Sequence, residues 1–166
     1  MQEHTVTLDG KTFQLPAPFM VVATQNPIEH QGTYPLPEAQ IDRFLLKISM
    51  GYLTAQEEMA VVSTQKVRHP IETLSAVATL ADILSLQETV KNITVSEQVM
   101  KYIVDLVYAT RTKEDIKLGA SPRASIALMK ASSAWAFLEG RDYVVPEDVA
   151  QLHRAARVGD AGPAIR

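Results

Sequence analysis

PFMVVATQNP, Pro18 to Pro27, changes character halfway along. Phe19-Met20-Val21-Val22-Ala23 is apolar without alternation, the pattern of a strand buried on both faces of a parallel sheet. Thr24-Gln25-Asn26 then turns abruptly polar, and Pro27 stops the run. In open α/β sheets, ligands bind beyond the carboxyl ends of such strands. The segment therefore predicts a core strand with a polar end, Asn26 included, placed where chemistry happens. RFLLKISM (43–50) predicts a second strand, with Phe44, Leu46 and Ile48 on one face. Between the two, LPEAQID (36–42) reads as a short helix with proline near its start. Two parallel strands alone would leave bare faces and edges. The first part of the chain is thus expected to be the end of a domain whose beginning lies upstream of Met1.

The hairpin ahead of this segment contains a decoy. LDGKTF (8–13) holds Gly-Lys-Thr, the closing letters of a phosphate-binding P-loop. That loop needs a second glycine five positions earlier, so that successive N–H groups curl around phosphates, and here the position is Thr5. It must also follow a buried strand, and only nine residues precede Gly10. A hairpin explains the letters better. Val6 and Leu8 alternate with Thr5 and Thr7, Asp9-Gly10 is a favoured two-residue turn, and Thr12 to Leu15 alternates again.

With 166 residues, 46% of them apolar, the chain can bury one core or one domain plus part of another. A net charge of −3 offers no global field for nucleic acid or an anionic membrane. The absence of cysteine excludes disulfides, thiolate chemistry and cysteine zinc sites, and suits a reducing cytoplasm. His4, His30, His69 and His153 lack metal-ligand spacing and read as surface or loop residues. No apolar run approaches the roughly 18 residues of a membrane span, and the amino terminus has no signal-peptide pattern.

From Thr54 onward the pattern is helical. Thr54 with Glu57 forms a capping box opening a helix through about Gln65, and RHPIETL (68–74) reads as a connector. A helix is predicted from about Leu80 to Val90. Ser96 caps the next, stapled by Val95 against Met100, with Val99, Ile103, Leu106 and Val107 facing inward. Ser121-Pro122 starts the longest helix, whose stripe is Ala124, Ala127, Leu128, Ala131, Trp135 and Leu138, ending near Gly140. Trp135 and Tyr102 are read as core residues. VPEDVAQLHRAA (145–156) is a helix with Pro146 first and Glu147-Asp148 at its positive end. GDAGPAIR (159–166) reads as a frayed tail. The expected organisation is residues 1–53, an α/β remnant, residues 54–158, an all-α bundle, and residues 159–166, a flexible tail. The chain is mostly α overall.

Read together and in order, ATQNP (23–27), YPLPEAQIDRF (34–44) and LGASPRA (118–124) resemble the MoxR family of AAA+ ATPases, and GRDYVVPEDV (140–149) agrees. The resemblance runs from Met1 to about Ala156. It implies a hairpin and the last strands of a parallel AAA+ sheet, followed by the helical lid domain. It also implies that Walker A and Walker B lie upstream of Met1, so that this chain alone does not turn over ATP. The family usually continues past the final helix with another apolar stretch, where this chain has VGDAGPAIR (158–166).

The resemblance assigns three site residues. Asn26 matches sensor 1, where an amide can hold an attacking water while touching a phosphate; by spacing alone it reads rather as an asparagine capping the turn before Pro27. Arg43 matches the arginine finger, an always-charged planar fork supplied across a subunit boundary; the alternative is a surface arginine paired with Asp42 or Glu38. Arg123 matches sensor 2, binding nucleotide between lid and core in its own subunit or a neighbour's; the alternative is an exposed helix arginine near Glu97 or Asp115. Glu29, Gln31 and Gly32 are read as loop residues at the site edge.

The resemblance implies ATP and Mg2+ as cofactors, a homo-oligomeric ring (a hexamer in most members of the family), and substrate proteins, often with von Willebrand-type domains. It implies a chaperone-like remodelling role in the cytoplasm. The competing expectation is a non-enzymatic, lid-like helical module that only binds partners. Nucleic-acid binding is not expected, for want of a basic groove.

Overall fold

The Asp9-Gly10 pair turns the chain back on itself because both residues take positive φ, 50° and 76°, as a tight two-residue hairpin turn demands. β1 (Thr5–Leu8) and β2 (Lys11–Gln14) pair antiparallel on either side, with Leu8 opposite Lys11. The Gly-Lys-Thr letters therefore lie in a hairpin and open no helix. These features belong to a computed structural model that describes residues 3–24, 37–48, 51–65, 69–114, 116 and 119–152.

The two predicted core strands are not formed as strands. Phe19–Ala23 and Phe44–Ile48 carry no ladder, and Met20, Val22 and Ile48 are exposed. The physical reason is that a strand is defined by its neighbour: these segments have no described strand beside them to accept their N–H groups. The predicted short helix is present as α1 (Glu38–Ile41).

The helical part follows the capping chemistry. Thr54 N–H donates to Glu57 Oε2 at 2.7 Å and Glu57 N–H returns to Thr54 Oγ1 at 3.4 Å, opening α2 (Ala55–Gln65). The connector contains one 3-10 turn, Pro70–Thr73. Thr79 and Asp82 close a second reciprocal box at the head of α3 (Leu80–Lys91). Ser96 Oγ accepts from Val99 N–H at 3.3 Å and opens α4 (Glu97–Thr112). α5 (Pro122–Leu138) ends where Gly140, at φ 74°, reverses the chain. There Gly140 N–H bonds to Phe137 O and Arg141 N–H to Ala136 O, the paired bonds of a Schellman stop. α6 spans Pro146–Leu152, and the expected continuation to Ala156 lies outside the described residues.

α5 is the centre of the bundle, packed against α3, α4 and α6. Val99, Ile103, Leu128, Ala131, Ala136, Val144, Val149 and Leu152 make one buried cluster, with Trp135 against its edge as predicted. Leu138 departs from the predicted stripe: it is 74% exposed, because the last turn of α5 runs past the cluster before the chain reverses at Gly140. Tyr102, read from sequence as a core residue, sits instead on the solvent margin of α4.

The GRDYVVPEDV segment is bound into this core in two ways. Thr94 N–H donates to Asp142 O at 2.8 Å and Val144 N–H to Thr94 O at 2.9 Å, a one-rung parallel bridge between the loop before α4 and the loop before α6. Arg141 grips buried Asp148 through both terminal guanidinium nitrogens, Nη1 and Nη2, at 2.8 and 2.6 Å. Asp148 also accepts Val145 N–H at 2.9 Å. Burial alone would push the Asp148 carboxyl up, but the bonds from Arg141 and Val145 outweigh it and hold its pKa below the ordinary aspartate value.

Candidate functional site

LGASPRA (118–124) carries Arg123, and at Ala120 the backbone is held by α4 side chains. Ala120 N–H donates to Thr110 Oγ1 at 2.9 Å, and Arg111 Nε donates to Ala120 O at 2.8 Å. Both backbone groups of Ala120 are thus satisfied, which a buried residue requires. Its side chain joins Val107 and Ala124 in a second small buried cluster. Gly119 lies directly against Arg111, with no room for a side chain. This clamp sets the starting angle of α5, and Arg123 sits in the first turn with its side chain 47% exposed.

Ser121 stands at the N-cap of α5 but makes no side-chain cap bond. An N-cap hydroxyl bond is typically worth about 1 kcal/mol to its helix, so its diversion calls for a partner elsewhere. That partner is Asp42, 79 residues away: Ser121 Oγ donates to Asp42 Oδ1 at 2.9 Å. The other carboxylate oxygen, Oδ2, lies 3.8 Å from Arg123 Nη1. α5 has no acidic residue in its own first turn, so Asp42 supplies the negative charge that the positive end of the helix favours.

Asp42 follows α1 in a tight turn. Arg43 N–H donates to Gln40 O at 3.2 Å and Phe44 N–H to Ile41 O at 3.0 Å. Arg43 is exposed and forms no ion pair among the described residues. The Asp42 carboxylate, one of the two partners expected for a purely structural Arg43, faces the helical bundle instead. The Glu38 side chain, like Asp115, lies outside the described residues.

The sequence-predicted residues thus divide. Arg123 reaches Asp42, the residue next to Arg43 in the chain, so the two arginine-bearing segments meet at one seam. Asn26 and the loop residues Glu29, Gln31 and Gly32 lie outside the described residues. Asp42 and Ser121 were not singled out as site residues from sequence; an acid beside an arginine and a serine before a proline give no signal of a contact 79 positions apart.

The seam offers exposed guanidinium donors, which suit phosphate oxygens in planar, bidentate fashion. Among the described residues no three or more carboxylate, histidine or cysteine side chains are grouped to hold a metal ion. No described helix is long and apolar enough to cross a membrane.

The profile of the ATPase family associated with various cellular activities (AAA) matches residues 1–46, and that of the AAA lid domain matches residues 108–157. The Bacillus subtilis protein YeaC is 53% identical over 152 residues, covering 92% of this chain and 48% of YeaC. Chaperone MoxR1 of Mycobacterium tuberculosis is 45% identical over 161 residues, covering 92% of this chain and 42% of the relative. The crystal structure of a candidate ATPase from Cytophaga hutchinsonii superposes with a TM-score of 0.83 at 38% identity, over 93% of this chain and 50% of that one. The chain spans about half the length of the relatives it matches.

Proposed function

The chain belongs to the MoxR family of AAA+ ATPases, and on that premise we propose that it forms the core–lid seam of an ATP-driven, chaperone-like remodelling subunit. In this reading residues 1–53 are the carboxyl-terminal part of the ATPase core, residues 54–158 are the lid, and residues 159–166 are a tail. The subunit works in a homo-oligomeric ring, a hexamer as in most of the family. It acts in the cytoplasm on substrate proteins, with von Willebrand-type domains as the first class to test.

Each arginine has a distinct task at the seam. Arg43 is the arginine finger, stabilising charge on a phosphoryl group held by the neighbouring subunit. Arg123 is sensor 2, binding nucleotide from the lid's first exposed turn. Asn26 is sensor 1, orienting the attacking water. Bound ATP with Mg2+ supplies the phosphoryl group and its charge neutralisation.

The observation that supports this reading most is the meeting of the two arginine-bearing segments at Asp42, through Ser121 and Arg123. Coupled movement of lid and core needs such a joint. The test is phosphate release by the protein at its relatives' length. Mg2+-dependent ATP turnover that falls at least about a hundredfold in Arg43→Ala is the expected result. A full-length protein that binds partners yet turns over no ATP, with any variant, makes the helical part an interaction module instead.

A further inference from the structure

Among the described residues, three serine or threonine N-caps serve their own helices: Thr54, Thr79 and Ser96 each accept a backbone N–H three residues on. Ser121 does not, and spends its hydroxyl on Asp42. Both Asp42 oxygens face the first turn of α5, one toward Ser121 and one toward Arg123. The Asp42 and Arg123 side chains stay 38% and 47% exposed, so water reaches the contact and it can open and close.

The two sides of the contact differ in stiffness. On the lid side, Ser121 follows Ala120, whose amide and carbonyl are both held by α4. On the core side, Asp42 sits in a turn kept by two single backbone bonds, the Arg43 and Phe44 amides to Gln40 and Ile41. A lid displacement that moves Ser121 must therefore break the Asp42 contact or drag the turn that carries Arg43.

We infer that Asp42 is a positioning residue, a latch through which lid position sets the orientation of Arg43. An anion drawn to Arg123 competes with Asp42 for the same guanidinium, so its arrival loosens the latch from the lid side. The nucleotide half of this inference rests on the roles proposed above for Arg43 and Arg123; the latch itself does not.

The experiment has two arms. In the 166-residue chain without nucleotide, amide hydrogen exchange is followed at Arg43 and Phe44 in Asp42→Ala, Ser121→Ala and the double variant. Each single change should speed exchange there by about three- to tenfold, the range of one weak bond, and the double should add nothing. Unchanged protection at Ile103 and Leu128 reports that the bundle stays folded. Additive effects, or none, overturn the latch.

In the protein at its relatives' length, Asp42→Ala should lower ATP turnover about tenfold with nucleotide affinity within about twofold, a loss confined to the transition state. Asp42→Asn, which keeps an acceptor for Ser121, should recover most of it. Turnover unaffected by Asp42→Ala, while Arg43→Ala still abolishes it, overturns the coupling. An Arg43→Ala protein with full turnover sinks the arginine-finger reading instead, and the exchange arm still decides the latch.

Discussion

Gly119 lies so close to Arg111 that a Cβ added to it would stand 2.7 Å from the Arg111 Cγ and 2.8 Å from its Cα. The Cγ belongs to a flexible side chain, but the Cα is helix backbone and cannot step aside. Gly119→Ala should therefore push the 119–121 segment off α4 and strain the Arg111 and Thr110 bonds to Ala120. The expected cost is about 1–3 kcal/mol of stability, as for overpacking in general, read by urea or thermal unfolding. A neutral Gly119→Ala would mean that the clamp does not fix the start of α5.

A second stabilising unit is Asp148 with Arg141. Asp148→Asn keeps the shape but loses the charge that draws in two guanidinium bonds and one amide bond. Unfolding at neutral pH should show a loss of about 1.5–3 kcal/mol, the range for hydrogen bonds to a charged group.

The pH dependence has a definite sign. The folded Asp148 pKa lies below its unfolded value, so its contribution is complete above about pH 4. It disappears as pH falls through the lowered folded value. Glu57 and Asp82, each held down by bonds from the capping threonine, act in the same direction. Thermal melts of the native chain should lose stability below about pH 4, and Asp148→Asn should show a shallower acid slope. An identical slope in the variant would remove Asp148 from the acid response.

Local chemistry was legible in the sequence, and pairing was not. Thr54-Glu57 and Ser96 announce helix starts because a cap needs only residues three apart. Thr79-Asp82 is the same device with a shorter acid, and the signal was there to be read. The hairpin was legible for the same reason, through Asp9-Gly10. Phe19–Ala23 has the composition of a core strand, yet a ladder is a property of two segments, and no described segment pairs with it. The Ser121–Asp42 bond is likewise invisible to any local pattern, since neither residue signals the other over 79 positions.

Amide exchange should separate the segments that pack from those that do not. Val99, Ile103 and Leu128 lie in the buried cluster and should exchange at the slowest, global rate. Phe19–Ala23 has no ladder and leaves Met20, Val21 and Val22 exposed, so it should exchange at nearly the unprotected rate. Strong, uniform protection across Phe19–Ala23 in a monomer would contradict the absence of a strand there.

The 166-residue chain by itself should not hydrolyse ATP above background. Its one Gly-Lys-Thr lies in the β1–β2 hairpin, with Thr5 where a P-loop needs glycine. Phosphate release and nucleotide binding on the purified chain check this. Micromolar ATP affinity with Mg2+-dependent turnover would return Lys11 to consideration.

Arg43 and Arg123 should fail in different ways in the protein at its relatives' length. Arg43 sits in an exposed turn after α1 and forms no described ion pair, as a group directed at a neighbouring subunit should. Arg43→Ala is expected to leave ATP affinity nearly intact while turnover falls at least about a hundredfold, the pattern of lost transition-state stabilisation. Arg123 stands on the clamped first turn of α5 and contacts Asp42; in the role proposed for it, it binds nucleotide as well. Arg123→Ala should weaken nucleotide binding or nucleotide-dependent assembly along with turnover. Mixing Arg43→Ala subunits with subunits dead in the phosphate-binding loop should restore part of the activity, because each supplies across the interface what the other lacks. A turnover titration of mixed rings, run beside direct binding measurements, decides the matter. If Arg43→Ala loses affinity as severely as turnover and mixing rescues nothing, Arg43 does not act in a neighbour's site.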